Sequence, residues 1–243
     1  MQRSSSYIIM YILILTGLCG VLLAGISEVL KPQKDAAVEL ERQTFILTAA
    51  LGTEKVEELK ENKSVVTTYT DRVNGYVVNA EGKVQEGKDP KDVNLLQEYK
   101  KPAAERMLPV YEIKGENGEM ECVVLPLYGY GLWDNVWSYT AIESDMSTIR
   151  GVVFDHKGET PGLGARITEQ KIEDRYKGKE VMENDEVVGV IMQKGEGNDY
   201  DGQPHKVDGL SGATKTAEGL NAMFINYIQL YKPYMNVLKS KNS

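Results

Sequence analysis

Residues 208–231 read DGLSGATKTAEGLNAMFINYIQLY, and this stretch joins two signals. Its second part repeats Leu220, Met223, Phe224, Tyr227, Ile228 and Tyr231 at three- and four-residue spacing, the pattern of a helix with one apolar face. Such a face must be buried against another layer. Its first part, Asp208 to Thr216, holds two glycines, one alanine, three hydroxyl side chains and one lysine. Two readings fit a small-residue loop that opens a helix. Ser211 or Thr214 can cap the free N–H groups. Alternatively, the free N–H groups and the partial positive charge can receive a phosphate, which small side chains let approach and Lys215 helps to balance. The loop is not a nucleotide P-loop, because Thr214 precedes Lys215 and the glycine spacing departs from GxxxxGK[ST].

The layer that covers this helix is predicted upstream. LPVYEIKGENGEMECVVLPLYG, from Leu108, reads as a hairpin about Asn117-Gly118, with Cys122 as a buried thiol in its second strand. SYTAIES and STIRGVVFD read as further strands, GARITEQKIEDRYKG as a helix ending at Gly178, and EVVGVIMQKG as another strand. Two loops between these runs stand out. DHKGETPGLGARI, Asp155–Ile167, gathers Gly158, Gly162 and Gly164 around Thr160 and a rigid Pro161. It serves either as a strand-to-helix turn with unusual dihedrals or as a close approach for a flat or anionic ligand. YGYGLWDNVWSY, Tyr128–Tyr139, holds the only tryptophans, Trp133 and Trp137. They form either an aromatic wall or core, and Trp137 reads as core.

At the other end of the chain, Tyr7–Ser27 (YIIMYILILTGLCGVLLAGIS) carries no charge. At about 1.5 Å per residue it is long enough to cross a hydrocarbon layer of roughly 30 Å. It is longer than the apolar core of a cleaved signal peptide, and no clear A-x-A site follows. Arg3 and the α-amine lie before it and Lys31 and Lys34 after it, so charge counting leaves its orientation open. A helix ending at Gly52, a charged helix (TEKVEELKENKS) and a polar, turn-rich lobe over 74–100 follow. The predicted class is α+β: one N-terminal transmembrane helix (7–29), a juxtamembrane helix and variable lobe (30–106), and a soluble domain with an antiparallel-rich sheet and packed helices (107–235).

Composition excludes several functions. The 243 residues carry 28 Lys+Arg against 36 Asp+Glu, a net charge of -8, which argues against nucleic acid as a partner. Two cysteines without a CxxC, and two distant histidines, leave no zinc or iron–sulfur cage and no expected metal site. There is no GxGxxG, so this chain should not bind NADH itself.

Taken in order behind one span, GYGLW, HKGETPGLGARI and DGLSGATKT resemble the C subunit of the sodium-translocating NADH:quinone oxidoreductase, over the span and roughly residues 110–232. The G subunit of the Rnf complex shares the same FMN-binding domain. In these proteins D-x-x-[ST]-G-A-T is a flavinylation motif, and Asp208, Ser211, Gly212, Ala213 and Thr214 match it in full. The resemblance implies FMN joined through its phosphate to the Thr214 hydroxyl by a flavin transferase. It implies a pocket formed by Glu159, Thr160, Gly162, Leu163, Gly164, Leu132 and Trp133, phosphate contacts from Ser211, Gly212, Ala213, Lys215 and Thr216, and recognition by the transferase and its metal at Asp208. It further implies an electron relay, with electrons arriving from an iron–sulfur centre and leaving to FMN on the B subunit, toward quinone. Partner subunits of A, B, D, E and F type, membrane lipid, an inner-membrane location and a periplasmic domain follow from the same resemblance. The resemblance also implies that sodium is moved by the whole complex, and the span, with no charged residue, offers no ion pathway of its own. A flavin-free tethered scaffold and the Rnf subunit are the alternatives.

Overall fold

The computed structural model describes residues 5–115 and 117–242. Its centre is an antiparallel sheet in the order β1-β2-β3-β4-β5. The strands are β1 (Val73–Val78), β2 (Leu108–Lys114), β3 (Met120–Tyr130), β4 (Asn135–Glu143) and β5 (Ile149–His156). Side chains alternate between its two faces, as the two-residue period of a strand dictates. Val110, Val123, Leu125, Leu127, Ile142, Val152 and Phe154 point to one core; Tyr111, Ile113, Cys122, Val124, Ala141 and Val153 point to the other.

The first face is covered by helix α6 (Thr214–Asn242). Leu220, Met223, Phe224, Tyr227, Ile228 and Tyr231, the apolar stripe of the sequence, are all buried there. The second face is covered by Ile46, Ala49 and Ala50 of helix α1 (Ser5–Leu51). Helices α2 (Thr53–Glu61) and α3 (Val65–Arg72) follow it and lead into β1. The fold is therefore α+β, with both sheet faces dry. Burial raises the pKa of the Cys122 thiol to about 12, which keeps it an inert packing group.

The chain divides into two compact units, Met1–Arg42 and Gln43–Ser243. The first holds the apolar run. Its large side chains, among them Ile8, Leu13, Leu18, Leu22 and Leu30, are exposed. Among the described residues α1 alone is long and apolar enough to cross a membrane. Arg3, used above in counting charges, lies outside the described residues.

Three segments differ from the sequence reading. The lobe over 74–100 supplies β1, paired with β2 from Val73↔Ile113 to Val78↔Leu108, and the short helix α4 (Leu95–Tyr99). The helix expected over 164–178 is three short pieces: a 3-10 turn Gly164–Thr168, α5 (Gln170–Glu173) and a 3-10 turn Asp174–Tyr176. Its apolar anchors, Ile167, Ile172 and Tyr176, are spaced five and four apart, so no single helical stripe holds all three. The strand expected from EVVGVIMQKG is broken into β7 (Glu186–Val187), paired with β6 (Met182–Glu183), and β8 (Ile191–Met192), paired in parallel with β9 (Lys206–Val207).

Two polar groups close the sheet where its ladders stop. The β2–β3 pairing ends at Tyr111↔Val124, and two residues further the same register would oppose Pro109 and Pro126, which have no N–H to give. The Tyr231 hydroxyl of α6 lies between their carbonyls, 2.8 Å from Pro109 O and 3.1 Å from Pro126 O. At the β5 edge the Phe154 N–H donates to Glu173 Oε1, 2.8 Å away.

Burial pushes the Glu173 carboxyl up from its ordinary 4.5 to about 7, with the Phe154 N–H opposing the rise. The folded state therefore holds a proton that the unfolded chain releases. The stability this contributes is complete below about pH 4.5 and is lost as pH rises through 7. Glu173→Gln, which keeps an acceptor for Phe154, should lose about 2 kcal/mol less stability than the parent between pH 5 and pH 8. Thermal unfolding of the detergent-solubilised chain at both pH values measures this, and identical pH dependence in the two proteins refutes it.

Candidate functional site

The three motifs converge at the N-terminus of α6. The β3–β4 turn is closed by Gly131 N–H donating to Asp134 O at 2.9 Å, and its tip leaves Leu132 and Trp133 in solvent, Trp133 70% exposed. The loop after β5 turns on the Thr160 carbonyl, which accepts from Leu163 N and Ala165 N at 3.1 Å each and leaves Leu163 exposed. The 208–213 turn is anchored by buried Leu210 and Ala213 and closed by Ala213 N–H donating to Leu210 O at 3.2 Å. Ser211, Gly212, Thr214 and Lys215 are exposed.

Glu159 holds the three together. Its side chain is buried, and its Oε2 accepts from the Thr216 hydroxyl at 2.6 Å. Its Oε1 accepts from Trp133 N at 2.9 Å and Asp134 N at 3.4 Å. Burial alone would raise this carboxyl; the Thr216 hydroxyl and the Trp133, Asp134 and Leu132 N–H groups outweigh it and hold the pKa below its ordinary value. The group is a buried anion whose charge is met by donors. It also explains two glycines. A Cβ on Gly131 would lie 2.5 Å from Glu159 Oε1, and one on Gly164 would lie 2.4 Å from Glu159 Oε2 and 2.5 Å from Thr216 Oγ1. Neither motif can carry a side chain there while the carboxylate stays.

The candidate residues thus separate by position. Thr216 is buried and its hydroxyl is committed to Glu159, whereas Thr214, the first residue of α6, is exposed. Leu163 lies against the turn: a Cβ on Gly212, which sits at φ +75°, would come 2.8 Å from Leu163 Cδ2. Thr160 and Gly162 are exposed on the same loop. Lys215 reaches away to Glu218, 2.7 Å. Trp137 is partly buried against the core. A cleft of about 380 Å³ opens along Thr214, lined also by Gln193, Lys194, Tyr200, Glu218 and Asn221.

Asp208 is held inside this structure. Its Oδ2 accepts from Gly197 N at 2.7 Å and its Oδ1 from Asn198 N at 3.1 Å. Burial raises its pKa, these N–H groups and Arg175 lower it, and the net shift is downward. The sequence reading missed the neighbours of this carboxylate. Arg175, 3.6 Å from its Oδ2, lies 33 residues before it in the chain and reads there as an ordinary solvated charge.

The residues present suit one kind of ligand. Leu132, Trp133 and Leu163 offer an apolar surface that would cover something flat. Beside them, the first-turn N–H groups of α6 and an exposed hydroxyl would meet an anion. A sheet-and-helix domain with such a surface, on a chain with a membrane-length helix, defines the class: a tethered domain for a flat, phosphorylated cofactor. Residues 131–229 match the FMN-binding domain family.

The whole chain has relatives too. It is 30% identical to the C subunit of the Na(+)-translocating NADH-quinone reductase of Neisseria meningitidis serogroup A, over 98% of this chain and 96% of that protein. It is 31% identical to the corresponding protein of Haemophilus ducreyi, over 88% and 85%. Crystal structures of the same protein from Parabacteroides distasonis and of Shewanella oneidensis NqrC each superpose with a TM-score of 0.71 at 28% identity, covering 85% and 82% of this chain and 96% and 97% of theirs. The chain belongs to this family, the C subunits of the Na(+)-translocating NADH-quinone reductase.

Thr216→Val keeps the shape of the buried side chain and removes its donor. It should cost about 1.5–3 kcal/mol, the range for hydrogen bonds to charged groups, and lower Tm by roughly 3–10 °C. Thr214→Val, at an exposed position, should leave Tm within about 1 °C. Differential scanning calorimetry decides, and equal Tm values for the two variants would contradict the role given to Glu159.

Proposed function

We propose that this chain is the FMN-carrying electron-relay subunit of a sodium-translocating NADH:quinone oxidoreductase, with FMN held covalently as a phosphoester on Thr214. The observation that carries the reading is the contrast between two threonines at one helix start. The Thr214 hydroxyl is open to a modifying enzyme, while Thr216 is buried and bonded to Glu159. Membership of the NqrC family and the match to an FMN-binding domain support it further.

In this reading Leu132, Trp133 and Leu163 cover the flat ring, and Thr160 and Gly162 border it. Ser211, Gly212, Ala213 and the first-turn N–H groups of α6 take the phosphate charge, with Lys215 adding a cation nearby. Glu159 and Thr216 fix the loops that carry these groups. Asp208 shapes the acceptor turn and presents it to a flavin transferase. Bound FMN supplies one-electron chemistry that no side chain here provides. The other subunits of the complex are the partners for electron exchange. Residues 7–29, the apolar part of α1, lie in the lipid of the inner membrane, and the chain beyond them is periplasmic.

Native intact mass should exceed the chain mass by one FMN less one water. Flavin fluorescence in a denaturing gel should vanish in Thr214→Ala and persist in Thr216→Ala; the reverse pattern would move the attachment to Thr216, and fluorescence surviving in both would exclude each of them.

A reporter at the C-terminus tests location. Alkaline phosphatase fused there should be active, because it folds only outside the cytoplasm. An inactive phosphatase beside a working cytoplasmic reporter at the same site would put the domain, and its flavin attachment, inside.

A further inference from the structure

The acceptor turn is pinned at Leu210 and Ala213 and exposed between them. Ser211 and Gly212 are small and exposed, and Gly212 sits at positive φ, so this part of the turn gains little from side-chain packing and has much backbone freedom to lose. An external brace adds to the two anchors. Segment 193–198 lies directly on the turn. Gln193 N donates to Val207 O at 2.9 Å, and a Cβ on Gly209 would fall 1.9 Å from Gln193 O, so the two backbones touch. Asp208 takes the N–H groups of Gly197 and Asn198. Arg175 Nη1 donates to the carbonyls of Asp208 and Gly209 at 3.0 and 2.7 Å.

Glu196 closes this brace at the turn itself. Its Oε2 accepts from Ser211 N at 3.1 Å. The same carboxylate is gripped by Arg166, with Nη1 at 3.0 Å from Oε2 and Nη2 at 2.6 Å from Oε1, and Arg175 Nη2 lies 3.6 Å away. Arg166 belongs to the 3-10 turn that follows Leu163. One side chain therefore ties the Leu163 loop to the acceptor turn, three residues before Thr214. Two-point guanidinium binding gives this contact direction as well as energy.

We infer that Glu196 is a positioning residue for flavin attachment: by accepting the Ser211 N–H while Arg166 and Arg175 hold it, it fixes the 208–213 turn in the form that presents Thr214 to the modifying enzyme. The inference rests on Thr214 as the attachment site. Its specific content is the acceptor oxygen offered to Ser211 N–H, rather than the negative charge.

The test uses the full-length chain co-expressed with its flavin transferase, following covalent FMN by intact mass over time and Tm by calorimetry. Glu196→Ala removes the acceptor; Glu196→Gln keeps an acceptor oxygen and removes the charge. Loss of one such bond predicts initial attachment about tenfold slower in Glu196→Ala, and Glu196→Gln within about threefold of the parent, with Tm for both within about 4 °C. Parental attachment in Glu196→Ala overturns the inference. So does an equal loss in both variants, which would assign the effect to charge. A loss in Glu196→Ala matched by a collapse in Tm, without rescue by Gln, reduces Glu196 to a fold-stabilising residue and overturns it too. Thr214→Ala runs beside them: if it still gains covalent FMN, the attachment site is wrong and the inference falls with it, a failure separate from any Glu196 result.

Discussion

One buried carboxylate organises the functional end of this molecule. Glu159 reaches Trp133, 26 residues before it, and Thr216, 57 residues after it, so a single side chain joins the three segments that make the site. A buried charge is expensive unless donors surround it, and here a hydroxyl and the N–H groups of the 132–134 turn supply them. What the arrangement provides is direction. An apolar contact between the same loops would tolerate sliding, whereas a carboxylate with two committed oxygens fixes each loop to within a hydrogen bond. The glycines at 131 and 164 follow from it, because the space a side chain would need is filled by the carboxylate. The exposed apolar surface and the exposed Thr214 hydroxyl are the outer side of that arrangement.

Much of the fold was legible in the sequence because it is built from long periodic segments. The stripe from Leu220 to Tyr231 and the alternating strands around Asn117-Gly118 repeat often enough for the period to be unmistakable, and the Tyr7–Ser27 run is plain from its length and lack of charge. The elements that were misread are short. β1 holds only Tyr76, Val77 and Val78 as a run of apolar residues, too few to distinguish an edge strand from a loop. The 164–178 segment has helix-forming residues, but its anchors serve different neighbours, and tertiary contacts break it into turns. At the site, the small-residue motifs could be recognised and their mutual geometry could not. That Thr216 faces inward and Thr214 outward depends on where Glu159 comes to lie, which spacing along the chain does not encode. Glu196 and Arg166 were invisible for the same reason: 30 residues separate them, and both read as surface charge.

The two sheet faces divide the labour. One is sealed by Ile46, Ala49 and Ala50 at the end of α1, so the chain leaving the apolar run becomes part of the core of the second unit. The other is sealed by α6, whose first residue is Thr214. The same helix that completes the hydrophobic core thus offers its free N–H groups at the site. The hydrophobic core and the candidate site share an element, so a change along the buried stripe of α6 bears on both.

The hydroxyl of Tyr231 carries a consequence for biogenesis. Pro109 and Pro126 leave two carbonyls that β2 and β3 cannot satisfy between themselves, and the single hydroxyl proton that the two share comes from α6. The partners in these bonds are 122 and 105 residues apart. A nascent chain that has completed its hairpins still lacks the helix that seals one face and quenches those carbonyls. That face stays open until α6 has been made, and α6 then brings the hydroxyl and the apolar stripe together. A chain shortened by its final helix would lose the donor hydroxyl and, with it, the means to close its own sheet.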